Sequence, residues 1–230
     1  MFFRTLLLWV VGIPITMALF VLVLLSALVD RRGVLVHSIG AFWCRIVLAL
    51  SGVKVSVTGA GSLPTDRPVI ILSNHQGAFD IPVLQGYLPL QYRWLAKTSL
   101  FKIPVIGWTM WLAGYIGIER ESATKAFKSL RRAAEKVKDG TSVLAFPEGT
   151  RSETGELLPF KKGVALLVSM SGVDVVPVAV KGTAGVMRRG SYSVTPARVT
   201  LKIGEPFSTG GMKAKDINKR AREAIAALLG

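Results

Sequence analysis

Val69-Ile70-Ile71-Leu72-Ser73-Asn74-His75-Gln76-Gly77-Ala78-Phe79-Asp80 decides the fold class and carries the first chemically useful groups of the chain. Its first four residues are an unbroken apolar run, which suits a strand buried on both faces. Polar residues follow at once, and ligands in open α/β sheets bind beyond the carboxyl ends of strands. A histidine there can serve as general base, because its ordinary pKa of about 6.5 leaves much of it neutral at working pH. Asp80 can hold the imidazole in one tautomer and stabilise the imidazolium that forms. Five residues is not a same-face helical spacing, so the pair must bridge a turn leading into a helix.

Working outward, Lys54-Val55-Ser56-Val57-Thr58 alternates as a half-buried strand does, and the stretch from Gly59 to Pro68 supplies turn residues. Trp94–Ala96, Tyr115–Ile118, Ser142–Phe146, Val175–Val180 and Val199–Ile203 are further strand candidates. Helices fall between them. Ser122–Lys138 sets Ala126, Leu130, Ala133 and Val137 on one face, with Ser122 as N-cap and Gly140 as terminator. Lys162–Met170 and Lys213–Leu229 read as two more. Strands alternating with helices predict an α/β fold, a central mixed, largely parallel sheet flanked by helices.

The first fifty residues differ. Thr5 to Val29 contains no charged side chain, and at about 1.5 Å per residue such a helix reaches across a hydrocarbon core of about 30 Å. A cleaved signal peptide fits poorly, because the run exceeds the usual apolar core and ends in Asp30-Arg31-Arg32. A second apolar run, Val34 to Leu50, carries His37 and Arg45 and suits an interfacial helix better than a span. Residues 1–52 therefore read as membrane-associated helices and 53–230 as the α/β domain. One span plus a surface helix, and two helices in a single leaflet, both fit this pattern.

The chain carries 29 Lys and Arg against 14 Asp and Glu, a formal charge of +15. Next to a long apolar leader, that charge points to an anionic lipid surface rather than nucleic acid, for which no recognisable module is present. The positive-inside rule keeps the basic body on the cytoplasmic side of the membrane. A lone cysteine, Cys44, excludes an internal disulfide, and two histidines, one of them in the leader, argue against a metal hydrolase.

Three more segments stand at strand ends. Phe146-Pro147-Glu148-Gly149-Thr150-Arg151-Ser152 offers a glycine for close backbone approach, a carboxylate for a polyol and a guanidinium fork for phosphate. Gly114-Tyr115-Ile116-Gly117-Ile118-Glu119-Arg120 ends in a charged pair. Val175-Val176-Pro177-Val178-Ala179 sets proline inside an apolar strand, which predicts an edge position or a bulge.

In this order the four segments resemble the motifs of the glycerolipid acyltransferase family, most closely its 1-acyl-glycerol-3-phosphate acyltransferase branch. Asn74, His75 and Asp80 match the first motif, Arg120 the second, Phe146 to Ser152 the third and Val175 to Ala179 the fourth. Trp94-Leu95-Ala96-Lys97 and Pro159-Phe160-Lys161-Lys162-Gly163 extend the likeness, which covers residues 53–205 or so. The resemblance implies acyl transfer from acyl-CoA or acyl carrier protein to the sn-2 hydroxyl of a lysophosphatidate, with no further cofactor and no metal. It implies catalysis by His75 and Asp80, with substrate binding by Asn74, Lys97, Arg120, Glu148, Gly149, Thr150 and Arg151. Direct attack is expected rather than an acyl-enzyme, since the one cysteine lies in the leader, and backbone amides near Gly149 are candidate oxyanion donors. The expected partners are the bilayer, a lysophospholipid acceptor and the thioester donor. Another lysolipid acceptor, such as a lyso-ornithine lipid or lysophosphatidylglycerol, and a non-catalytic protein that binds anionic lipid are the competing expectations.

Overall fold

In the computed structural model, which describes residues 2–119, 121–152 and 154–230, the apolar run forms β2 (Ile70–Ser73), buried at all four positions. It lies inside one sheet with β1 (Lys54–Thr58), β3 (Tyr92–Lys97), β4 (Ile116–Ile118), β5 (Ser142–Ala145), β6 (Val175–Lys181) and β7 (Arg198–Ile203). The strand order is β1-β7-β6-β2-β5-β3-β4. From β6 to β4 all neighbours are parallel, whereas β7 runs antiparallel to β6 and takes β1 with it as a parallel neighbour. The sheet is mixed and largely parallel, as its continuous apolar runs predict.

Seven helices are described: α1 (Phe2–Ala27), α2 (Val34–Leu50), α3 (Asp80–Tyr87), α4 (Ile106–Leu112), α5 (Ala123–Lys138), α6 (Lys162–Ser171) and α7 (Ala214–Leu229). Successive strand residues point to opposite faces, and the two cores follow that period. Ile71 joins Phe79, Val83 and Leu84 of the α3 region, with Leu48 of α2 and Leu8 of α1. Ile70 and Leu72 face the other way, against Leu130 and Ala133 of α5, Leu167 of α6 and Ile217 of α7. Helices thus cover both faces of the sheet, which leaves its carboxyl edge to the loops after β2, β3, β5 and β6.

α1 and α2 form a hairpin. Val34, Leu35 and Val36 donate their amides to the Asp30 carboxylate at 3.0, 2.7 and 3.1 Å, so an acid supplies acceptors to the start of α2. Trp43 Nε1 bonds Thr16 Oγ1 at 2.8 Å, and Arg4 donates to the carbonyl of Ala49 at 3.3 Å, holding the two helices side by side. The polar residues of α2 turn toward the body: His37 is buried, and Arg45 Nε donates to the carbonyl of Gly86 at 2.6 Å. Among the described helices only α1 is long and apolar enough to cross a membrane.

The structure decides two local expectations. Pro177 does not lie on an edge strand, because β6 runs between β2 and β7. Its position is a bulge: Val175 faces Phe207 and Val178 faces Ile203, so residues 176–177 oppose residues 204–206, and the Gly204 amide reaches the Pro177 carbonyl at 2.9 Å. Ser122 has the extended backbone of an N-cap but makes no side-chain cap bond to α5.

Candidate active site

β2 ends at Ser73, and the chain then passes through Asn74, His75 and a short turn into α3, whose first residue is Asp80. The turn closes on Asp80. His75 Nδ1 lies 2.7 Å from Asp80 Oδ2, and the amides of Gln76 and Gly77 donate to that same oxygen at 2.6 and 2.9 Å. Asp80 is fully buried, and its other oxygen, Oδ1, accepts from the Thr183 hydroxyl. An acceptor so fully engaged with N–H and O–H donors is a carboxylate, so Nδ1 of His75 carries the shared proton and Nε2 is left with its lone pair. The imidazole stacks on the Phe146 ring, with centroids 3.9 Å apart and planes 7° from parallel. One carboxylate and one aromatic face fix the ring in position and in plane.

The 146–152 loop, coming off β5, holds the backbone of His75 on both sides. Glu148 Oε1 accepts the His75 amide at 2.7 Å, and the Ser152 amide donates to the His75 carbonyl at 2.8 Å. The second oxygen of Glu148 accepts the Leu158 amide at 2.9 Å. Burial raises the pKa of Glu148, against the lowering pull of the Leu158 and His75 amides. Gly149 takes φ +69°, and a β-carbon there would sit 3.0 Å from Cδ of Lys161, whose aliphatic chain lies across the turn. Gly149→Ala is accordingly expected to cost about 1–2 kcal/mol for the left-handed backbone alone, read as a lower denaturation midpoint.

His75 opens onto a cavity of about 570 Å³. Lys97, Gly149, Thr150 and Arg151 line the same cavity beside it, and the remainder is mostly apolar. Phe20 of α1, Trp43 of α2, Ile81 of α3 and Met110 of α4 are among its walls. The space therefore combines the imidazole and two cations from the carboxyl edge of the sheet with apolar walls from the hairpin and α4. Among the described residues, Lys97 and Arg151 form no ion pair. Two cations without carboxylate partners beside a general base suit a phosphorylated substrate.

The structure brings most of the expected site residues together, but two have different partners from those expected. Asn74 is buried, and its side chain pairs with the backbone of Val180 in both directions at 2.8 Å, extending the β2–β6 pairing rather than facing the cavity. Glu148 is only 2% exposed and both its oxygens are taken by backbone amides, so it braces the loop rather than meeting a polyol. Arg120 lies outside the described residues. Sequence reasoning missed Thr183 and gave Phe146 no role. The available signal for Thr183 was its position, two residues beyond the end of a strand on the carboxyl edge.

Comparisons with known proteins agree with this geometry. The family model described as Acyltransferase matches residues 54–181. The chloroplastic 1-acyl-sn-glycerol-3-phosphate acyltransferase BAT2 of Brassica napus is 38% identical over 192 residues, covering 83% of this chain and 55% of that protein. A 1-acyl-sn-glycerol-3-phosphate acyltransferase of Chlamydomonas reinhardtii is 33% identical over 224 residues, covering 96% of this chain and 67% of its own length. The chain thus spans little more than half of the plant relative. The crystal structure of the 1-acyl-sn-glycerophosphate acyltransferase PlsC from Thermotoga maritima superposes with a TM-score of 0.83 at 28% identity, covering 97% of this chain and 92% of that one. With the family model spanning β2, α3 and β5, and with them His75, Asp80 and the 146–152 loop, the chain belongs to the acyltransferase family.

Proposed function

We propose that the protein transfers a fatty acyl group from acyl-CoA or acyl carrier protein to the sn-2 hydroxyl of 1-acyl-glycerol 3-phosphate, forming phosphatidic acid. The observation that carries this reading is one cavity lined by His75, which is paired with Asp80, by the cations Lys97 and Arg151 and by apolar side chains. A phosphate monoester with a fatty chain needs both kinds of lining. The names of the relatives point to the same reaction.

In this mechanism Nε2 of His75 takes the acceptor's hydroxyl proton as its oxygen attacks the thioester carbonyl. The Asp80 carboxylate stabilises the imidazolium. Collapse of the tetrahedral intermediate expels the thiolate, which leaves readily because thiols are far stronger acids than alcohols, and the thiolate takes back the proton held on Nε2. Lys97 and Arg151 hold the acceptor's phosphate, with Thr150 beside them, and the turn at Gly149 lets backbone approach the reacting carbonyl. No cofactor or metal is required. The test is thiol release by purified protein offered lysophosphatidate, lyso-ornithine lipid, lysophosphatidylglycerol and glycerol 3-phosphate, each with acyl-CoA and with acyl carrier protein. Preference for another acceptor would overturn the substrate, and silence with every pair would overturn the activity.

Membrane association belongs to the same reading, with residues 1–52 as the lipid-facing part and 53–230 as the α/β domain on the cytoplasmic side. Both halves of α1 are held against the body: Trp9 donates to the Tyr192 carbonyl at 2.9 Å, and Phe20 packs against Trp108 with ring centroids 6.0 Å apart. A helix tethered in both halves cannot cross a bilayer while the body stays in water. We therefore infer that the hairpin lies in one leaflet, with Leu6, Val10, Ile13, Met17 and Val21 facing lipid, all exposed in the structure. Val10→Lys with Met17→Lys is expected to shift the protein from the vesicle-bound to the free fraction in flotation. Unchanged flotation of that variant would count against the lipid-facing surface.

A further inference from the structure

Thr183 belongs to none of the four motifs, yet it touches the buried carboxylate. It follows β6 by two residues and is fully buried, and its hydroxyl donates to Asp80 Oδ1. Asp80 Oδ2 serves His75 and two amides, so among the described residues Thr183 is the donor on the opposite oxygen. A carboxylate gripped on one oxygen alone can pivot about its Cβ–Cγ bond; gripped on both, it has one orientation. The approach is close, since a β-carbon on Gly77 would stand 2.8 Å from the Thr183 carbonyl oxygen.

Thr183 also lies in a loop, residues 182–197, that returns to α1. Val186 donates to the Thr183 carbonyl at 3.1 Å, and Thr195 to the Val186 carbonyl at 2.8 Å, so the loop is internally closed. Val186 and Val194 are fully buried in the same core as Leu8 of α1 and Phe79 at the head of α3. The far limb clasps the helix directly. Val194 donates to Thr5 Oγ1 at 3.0 Å, Trp9 Nε1 to the Tyr192 carbonyl at 2.9 Å, and the Trp9 and Tyr192 rings meet edge to face at 6.1 Å.

We infer that Thr183 is a positioning residue for the His75–Asp80 pair, and that its loop makes the alignment of that pair depend on the seating of α1. This adds a regulatory link to the proposed acyltransferase and rests on that reading. With α1 lodged in lipid, the clasp holds the loop and the loop holds the carboxylate. Loss of the clasp loosens a donor on the far side of the catalytic pair without touching the cavity.

The test is steady-state thiol release from vesicle-presented acceptor, with melting midpoints measured alongside. Thr183→Val is expected to lower kcat about ten- to hundred-fold, as loss of a hydrogen bond to a charged group does. Both KM values should stay within about two-fold, and Thr183→Ser should recover most of kcat. Trp9→Phe with Tyr192→Ala should lower kcat in the same direction, and less than additively when combined with Thr183→Val. Wild-type kcat in Thr183→Val, or a Ser variant no better than the Val one, overturns the positioning role. Additive losses overturn the coupling to α1. An inactive wild type fails the acyltransferase reading and takes this inference with it, whereas an active wild type with unaffected variants sinks the inference alone.

Discussion

His75→Ala is expected to lower thiol release about 10²–10⁴-fold, the range a positioned general base contributes, with KM for the acceptor little changed. The geometry argues for a kcat effect. Nδ1 is committed to Asp80 at 2.7 Å, the ring is pinned on Phe146, and among the described residues lining the cavity the ring's remaining nitrogen is the group suited to accept a hydroxyl proton. Lys97 and Arg151, the proposed phosphate ligands, are untouched by the substitution, so acceptor binding is expected to survive it. Stability should change little, because the imidazole is part-exposed, at 14% of its side-chain surface, and Asp80 retains its bonds from Gln76, Gly77 and Thr183. Asp80→Asn should be nearly as damaging for a different reason. An amide cannot accept three donors on one atom and still fix the imidazole tautomer, a role whose loss in the serine-protease triad costs about 10⁴-fold. Wild-type turnover in His75→Ala would reassign the base and remove the mechanism.

The fold was legible where burial is two-sided and hard to read where it is not. Continuous apolar runs located β2, β5 and β6 to within a residue or so, because a strand packed by helices on both faces has no reason to alternate. β3 begins two residues earlier than its apolar run, at Tyr92 and Arg93. Arg93 is buried yet satisfied by the carbonyls of Tyr92 and Arg32 at 2.8 and 2.7 Å, partners that no local pattern announces. α4 was missed altogether. It has seven residues, is apolar nearly all round and follows Pro104, so it shows neither a period nor a cap. One side of it lines the cavity while Trp108 and Trp111 stand exposed on the other, a division set by α1 rather than by its own sequence. In the site, residue types were readable and directions were not. The amide of Asn74 and the carboxylate of Glu148 are as able to bond backbone as substrate, and only the approach of Val180, His75 and Leu158 decides which.

Glu148 gives the most discriminating expectation, since a binding role and a bracing role predict opposite kinetics. If its carboxylate met the acceptor's glycerol hydroxyl, Glu148→Gln would raise KM and spare both kcat and stability. In the structure its oxygens hold the amides of His75 and Leu158, which lie 73 and 10 residues from it along the chain. Glu148→Ala leaves two part-buried donors without that acceptor, and a donor that water does not reach costs about 1–3 kcal/mol. Thermal and denaturant midpoints should therefore fall markedly. The His75 backbone would then be held only through its carbonyl by Ser152, and a displacement of about 1 Å at a reacting group is worth about a hundred-fold in rate. Glu148→Gln keeps one acceptor oxygen and turns an NH₂ toward the other amide, so it should fall between wild type and Ala in both midpoint and kcat. The graded series Glu, Gln, Ala, moving kcat and stability together at nearly constant acceptor KM, is what a clamp on the catalytic loop produces. A large KM increase with an unmoved melting midpoint would instead put Glu148 against the substrate, in a conformation of the 146–152 loop different from this one.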